Sequence, residues 1–168
     1  MDQISGVLER EVHVLEILLF KLVETRLLLE NDEIRFLTRA TREVERARLR
    51  AREVDLLRAT TVSEVGTGRT LRTLAASAPA PWPGILRDHH AALVDVVAQI
   101  ELTAHRNAEL ARVGLDRVER TKVIAGAGHR TAEDDRAELD RLATGAAFQA
   151  VLGTAGRLRM PDLLDFIR

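Results

Sequence analysis

Histidine and acidic side chains are the residues of this sequence whose types and spacing could support chemistry. The five histidines are His13, His89, His90, His105 and His129. Glu9 and His13 stand four residues apart, as do Glu101 and His105, so each pair shares one face of a helix. A helical di-iron site instead needs Glu-x-x-His on two helices together with further inward carboxylates. Because that spacing is absent, we expect surface Glu–His pairs and no metal ligands.

Other common active-site motifs are also absent from the sequence. No serine lies in a Gly-x-Ser-x-Gly turn, and no Gly-x-x-x-x-Gly-Lys loop could hold a phosphate. The chain contains no cysteine, which excludes disulfides, thiolate nucleophiles and cysteine-based zinc sites. Asp134 and Asp135 are neighbours that face different ways on a helix, so they make a poor acid–base pair. We therefore expect no catalytic residues, no cofactor and no enzymatic activity.

The distribution of charge argues against a nucleic-acid partner. The chain has 25 basic and 26 acidic residues, for a net charge of −1. Alternate arginines between Arg46 and Arg52 would spread around a helix, and neighbouring glutamates neutralise them. No aromatic residues are interleaved for base stacking. These charges predict a solvated helix face.

Composition favours an all-α protein. The 168 residues are 46% hydrophobic but only 3% aromatic, with no tyrosine, whereas strand-rich folds depend on aromatic and β-branched residues. No stretch of about 18 uncharged apolar residues could span a membrane. Charged residues at Asp2 and Glu9–Glu11 interrupt any signal peptide. We expect a cytoplasmic location.

Apolar residues recurring at steps of three and four predict two long helices joined as an antiparallel hairpin. The first runs from about Val7 to Glu30, and the second from about Glu33 to Ala59. We expect Asn31–Asp32 to cap the second helix, and one unbroken helix through Asp32 is the alternative. The first predicted stripe contains Leu8, Val12, Leu15, Leu19, Leu22 and Leu29, and the second contains Leu37, Ala40, Val44, Ala47, Ala51 and Val54.

A third long helix is predicted from about Gly84 to Arg120. Between residues 60 and 84, glycines and prolines predict a break that holds one short helix near Leu71–Ala75, with Thr61-x-x-Glu64 as a capping box. The stripe of the third helix includes His89 and Asn107, polar residues that can fix the register of packing. A flanking stripe contains Val97, Ala104, Ala111 and Val118.

The last part of the chain is rich in glycine, so we expect it to form a mobile amphipathic tail. Ala125–Gly128 is expected to break the third helix, and a short helix near Leu139 is expected to end at Gly145. The sequence thus predicts an elongated antiparallel helical bundle, made of a coiled-coil hairpin and a third long helix. Its domain would span residues 1–122, followed by a flexible helical tail over residues 123–168.

Three segments carry a resemblance to a known family. The segments LLFKLVETRLLL (18–29) and RFLTRATREVE (35–45) resemble the FlgN family of flagellar export chaperones, in the form common in high-GC Gram-positive bacteria. The segment APWPGILRDHHAALVDVVAQI (80–100) and Asn107-x-x-Leu110 are similar to the family's third helix. The resemblance covers roughly residues 5–120.

The resemblance implies a cytoplasmic chaperone that binds hook-associated (hook–filament junction) proteins before type III export. Such chaperones keep the terminal helices of their substrates unassembled and dock with the export apparatus. Some contact the export gate through a tyrosine, and this chain has none, so that contact must differ or be absent. Family members contact substrate through a C-terminal amphipathic helix. By region and chemistry, this implies partner binding by Leu139, Leu142, Phe148, Val151, Leu152, Leu163, Leu164, Phe166 and Ile167.

Two other classes of protein fit parts of the same pattern. A self-associating helical structural or adaptor protein, with no role in export, would show the same heptad-like spacing. A ferritin-like metalloenzyme is the more distant alternative, and metal analysis of the purified protein would detect it.

Overall fold

In a computed structural model, residues 1–65, 70–124, 132–158 and 161–167 are described, and they form helices with no strand among them. This confirms the all-α prediction. Helix α1 packs along α2 and α4, while α5 packs on α4 and α2, and α6 contacts α3 and α4. The helices are α1 (Asp2–Glu30), α2 (Leu37–Ser63), α3 (Leu71–Ser77), α4 (Trp82–Ile124), α5 (Ala132–Gly156) and α6 (Pro161–Ile167).

The chain reverses direction between α1 and α2, which confirms the predicted hairpin and rules out one unbroken helix. Asn31–Asp32 ends α1, however, and does not cap α2 as predicted. Asp32 has a φ of 58°, the left-handed conformation that commonly ends a helix. The backbone N–H of Glu33 donates to the Leu28 carbonyl at 2.9 Å, and that of Asp32 to the Leu29 carbonyl at 3.3 Å. A short 3₁₀ turn, Ile34–Phe36, then leads into α2.

The buried face of α1 differs in part from the predicted stripe. Leu8, Leu15 and Leu22 are buried as predicted, but Leu19 is only partly buried. Both α2 and α4 pack on this helix, so its buried face is centred on another line of residues. That line consists of Ile4, Leu8, Glu11, Leu15, Leu18, Leu22 and Thr25.

Buried apolar residues form two clusters along the bundle. The main cluster joins α1 to α2, α3, α4 and α6, and includes Leu15, Val44, Leu93 and Ile100. The second cluster lies where α5 packs on α2 and α4, and consists of Leu37, Ala111, Ala147, Phe148 and Val151. The C-terminal helices therefore contribute to both clusters of the fold.

The connection between α2 and α4 contains the predicted short helix, α3, but its cap is not the predicted one. Thr61 lies inside α2, where its hydroxyl donates to the Leu57 carbonyl at 2.9 Å. Thr70 instead caps α3, because its hydroxyl accepts a hydrogen bond from the backbone N–H of Thr73 at 3.2 Å. Pro83 follows the first residue of α4. Backbone N–H groups in the first turn of a helix have no carbonyl partner within it, so a proline there loses no hydrogen bond.

Helix α5 is continuous from Ala132 to Gly156, so the predicted end at Gly145 is wrong. Packing against α4 and α2 stabilises a helix whose glycines would weaken it in isolation. The predicted break at Ala125–Gly128 lies outside the described residues. The predicted division into residues 1–122 and 123–168 stays a prediction.

Asn107 is buried on the face of α4 that meets α1, as its position on the stripe predicts. Its Nδ2 donates to the carbonyl of Leu22 at 2.9 Å. Nearer the start of α4, Ser5 Oγ and His89 Nε2 lie 2.8 Å apart, and His89 is partly buried. Two hydrogen bonds thus fix the register of α1 against α4.

A buried charged cluster connects α1, α2 and α6. Arg58 is 3% exposed, and its Nε donates to Glu11 Oε1 at 3.0 Å. The same guanidinium group binds the Asp55 carboxylate on its own helix. Its carbon lies 4.3 Å from the centre of the Phe166 ring on α6, a cation–π contact. One arginine therefore holds three helices together.

Burial raises the pKa of the Glu11 carboxyl to about 7, because loss of water outweighs the attraction of Arg58. The folded protein then binds this proton more tightly than the unfolded chain does. The free energy of unfolding must fall as the pH rises from the ordinary glutamate pKa to about 7. One pKa unit corresponds to about 1.4 kcal/mol, so this fall is on the order of 3 kcal/mol.

We expect Glu11→Gln to remove this pH dependence, because the glutamine amide oxygen still accepts from Arg58 and carries no charge. Urea unfolding at intervals from pH 5 to pH 8 measures it. The free energy of unfolding of the wild type should fall by roughly 2–3 kcal/mol more than that of the variant over this range. Glu9→Gln, an exposed change on the same helix, should behave like the wild type. Parallel pH profiles for wild type and Glu11→Gln would contradict the assignment.

Candidate partner-binding surface

The structure divides the nine predicted partner-binding residues into three groups. Two are exposed on α5, three pack in or against the second cluster, and four pack in or against the main cluster. They therefore do not form one continuous open surface. The groups are Leu139 and Leu142; Phe148, Val151 and Leu152; and Leu163, Leu164, Phe166 and Ile167.

Leu142 of the exposed pair lines a groove between α4 and α5, and Leu139 lies one helical turn before it on α5. Leu139 is 67% exposed and Leu142 is 50% exposed, one helical turn apart. Leu115 and Val118 of α4 form the opposite wall, and the groove has a volume of about 210 Å³. We call it the α4–α5 groove, and its other lining residues are Glu119, Arg141, Gly145, Ala146 and Gln149. Sequence reasoning placed Val118 on the flanking stripe of its helix but did not assign it or Leu115 to a binding surface.

Phe148 holds α5 against α4 below this groove. The residue is 4% exposed, and its ring lies directly on the backbone of Gly114. A Cβ atom at Gly114 would overlap three atoms of that ring, so only glycine allows this approach. At the other end of α5, Arg157 Nε donates to Glu45 Oε1 of α2 at 2.8 Å. These contacts position Leu139 and Leu142 relative to α4.

Helix α6 lies on a second surface, which we call the α6-binding surface. We define it by Leu15, Leu18 and Ala51, which line a cavity together with Leu163, and by Arg58 and His90. His90 Nε2 lies 2.7 Å from the carbonyl oxygen of Ile167, the last residue of α6. Phe166 stacks on Arg58 as described above, and Leu163 is almost completely buried. A cavity of about 40 Å³ remains between Leu163 and the leucines of this surface. The helix therefore covers the surface without filling it.

The described part of the chain offers few groups for chemistry. Across these residues, no three histidine, aspartate or glutamate side chains come together as a metal-binding group. Nor does any helix among them combine the length and apolar character needed to cross a membrane. The paired residues Glu11, Asp55 and Arg58 are buried inside the bundle and connect helices.

An apolar groove between long helices can accept an amphipathic helix of another protein. A family model described as FlgN protein matches residues 1–143. The chain therefore belongs to the FlgN family of flagellar export chaperones, which confirms the resemblance found in the sequence. The match includes α1 to α4 and the first part of α5, with Leu139 and Leu142.

FlgN is a chaperone family and not an enzyme family, and its members bind flagellar export substrates. Comparison with curated proteins gave no match, and neither did comparison with solved structures. The family assignment thus rests on the family model.

We expect Gly114→Ala to destabilise the protein by about 1–3 kcal/mol, because the new methyl group displaces the Phe148 ring. Gly145→Ala is the matched control, since it lies in α5 with open space around its Cβ position. That change should stabilise the helix by up to about 1 kcal/mol. Thermal unfolding followed by circular dichroism compares the two. Equal effects of the two substitutions would show that Phe148 does not pack on Gly114 in solution.

Proposed function

We propose that this protein is a cytoplasmic chaperone for hook-associated (hook–filament junction) proteins. It would cover their terminal helices and so prevent assembly before type III export. Family membership supports the general role of an export chaperone. The narrower choice of substrate follows from the resemblance and from the helical surfaces, which suit amphipathic helices.

The observation that carries the proposal is the α4–α5 groove. Two leucines stand at least half exposed on consecutive turns of α5, where burial on a partner would remove apolar surface from water. Leu115 and Val118 lie opposite Leu142 across the groove, so an amphipathic helix could insert its apolar side chains between the two walls. Arg141 and Glu119 at the edge offer polar contacts for the charged face of such a helix.

The members of the predicted site that lie on α6 enter the proposal through release of that helix. A helix of seven residues is not stable alone, so α6 loses its structure when it leaves the bundle. Leu163, Leu164, Phe166 and Ile167 would then be free to fold again on a substrate helix. The free energy needed for this ordering keeps the complex releasable, which suits a chaperone that hands its substrate to the export apparatus.

The role of the α4–α5 groove in binding can be tested by placing negative charges on its α5 side. We expect the double variant Leu139→Glu/Leu142→Glu to weaken binding of a purified hook-associated protein by about tenfold or more, because carboxylates would be buried on an apolar helix. Isothermal titration calorimetry measures the affinity. The control is Leu49→Glu/Leu56→Glu, which changes two leucines of α2 that are 53% and 54% exposed and share one helix face. It should bind like the wild type.

Two results would count against the proposal. Unchanged affinity of the Leu139→Glu/Leu142→Glu variant would remove the α4–α5 groove from the binding site. A stable oligomer in size-exclusion chromatography with light scattering, together with no binding of any hook-associated protein, would favour the self-associating adaptor.

Release of α6 can be tested without changing α6 itself. In the double variant Glu11→Leu/Arg58→Met, apolar residues replace the ion pair, an exchange that buried pairs often tolerate. Asp55 keeps a partner, because Arg52 Nη1 lies 3.3 Å from its Oδ2. We expect α6 to detach more easily once the cation–π contact is lost, and the affinity for a hook-associated protein to rise severalfold. An unchanged or lower affinity at full helical content would show that α6 stays bound during recognition.

A further inference from the structure

A groove between α3 and α4 is separate from the α4–α5 groove and adjoins the α6-binding surface at His90. Its floor is apolar, formed by Leu71, Ala75 and Leu86, and its volume is about 370 Å³. Arg72 and Arg87 stand at its edges, one on each helix, and both are exposed. We call this the α3–α4 groove.

The charges of this groove are unbalanced. Neither Arg72 nor Arg87 forms an ion pair in the described part of the chain. Asp88, which follows Arg87, forms no ion pair with either arginine. Two unpaired guanidinium groups beside an apolar floor attract a ligand that carries both carboxylates and apolar side chains.

The chain's own α6 shows that this side of the bundle accepts an apolar helix. Leu163, Phe166 and Ile167 of α6 are buried there. The last carbonyl of α6 contacts His90, and His90 also lines the α3–α4 groove. The groove is therefore continuous with the end of the surface on which the apolar helix α6 already lies.

We propose that the α3–α4 groove docks an acidic amphipathic helix of a partner protein. Its apolar side chains would pack on Leu71, Ala75 and Leu86, and its carboxylates would bind Arg72 and Arg87. This surface shares no lining residue with the α4–α5 groove, so the chain can hold this partner and an export substrate at the same time. The proposal is independent of which substrate occupies the other groove.

Trp82 provides a direct readout of docking in the full-length chain. It is the only tryptophan, it is partly buried, and it lies one helical turn before Leu86. The probe is a synthetic amphipathic helix with leucines on one face and glutamates beside them. A second peptide has lysine in place of every glutamate. Each is titrated against the protein at low and high salt while Trp82 fluorescence is recorded, and calorimetry repeats the titration without depending on the tryptophan.

We expect saturable binding of the glutamate peptide that weakens at high salt, and binding of the lysine peptide that is about tenfold weaker or more. Arg72→Glu/Arg87→Glu should reverse this preference. Arg106→Glu/Arg112→Glu is the control, because it makes the same change in net charge at exposed arginines elsewhere on α4. Ala76→Phe, at an exposed position of the groove, should block both peptides without changing helical content.

Three outcomes would overturn the proposal. The first is equal binding of the two peptides to the wild type, and the second is an equal loss of binding in the groove variant and its charge control. The third is no binding of the glutamate peptide by either method. A negative result here leaves the Leu139→Glu/Leu142→Glu test of the proposed function unaffected, because that experiment uses another surface and another ligand.

Discussion

The first helix carries more apolar surface than one neighbour can cover, and the rest of the bundle follows from this constraint. Helix α2 covers one side of α1 and α4 covers another. To do so, α4 extends over 43 residues, from Trp82 to Ile124, and reaches both buried clusters. Since burial of apolar surface is the main favourable term in folding, a two-helix hairpin alone would leave part of α1 exposed to water. The short α3 and the C-terminal helices pack on α4 toward its two ends.

Polar groups inside these interfaces determine how the helices align. Apolar contacts can be kept when one helix shifts along another, whereas a buried hydrogen bond is lost when the register changes. Asn107 can reach the Leu22 carbonyl in one register only, and Arg58 can reach Glu11 in one register only. The ion pair contributes little net stability, because removing two charges from water offsets much of their attraction. Its effect is to select one arrangement of α1, α2 and α6.

The sequence predicted the hairpin, the third long helix and the burial of Asn107, because all three follow from the spacing of apolar residues within one helix. It could not predict that Glu11 lies in the core. A glutamate at that position resembles a surface residue until its partner is known, and Arg58 is 47 residues away in the chain. The length of α5 was also missed, since glycine propensity is a local property and the contact of Phe148 with Gly114 is not.

The sequence could not predict where the nine candidate partner-binding residues lie in the fold. All nine are apolar, and the resemblance to the FlgN family selected them by region and chemistry. Which of them face water depends on the packing of α5 and α6 on the earlier helices. Leu139 and Leu142 are exposed because they lie beyond the point where Phe148 holds α5 on α4. No pattern within the last 46 residues contains that information.

The order of the helices along the chain affects how the protein is made. Every residue of the α6-binding surface precedes α6 in the sequence, so all of them are synthesised before α6. A nascent chain therefore presents Arg58 and its apolar surroundings before its own Phe166 has left the ribosome. During that interval the surface is open to any amphipathic helix nearby. Synthesis of α6 then supplies the segment that covers the surface, so an uncovered surface precedes the covered one in every molecule.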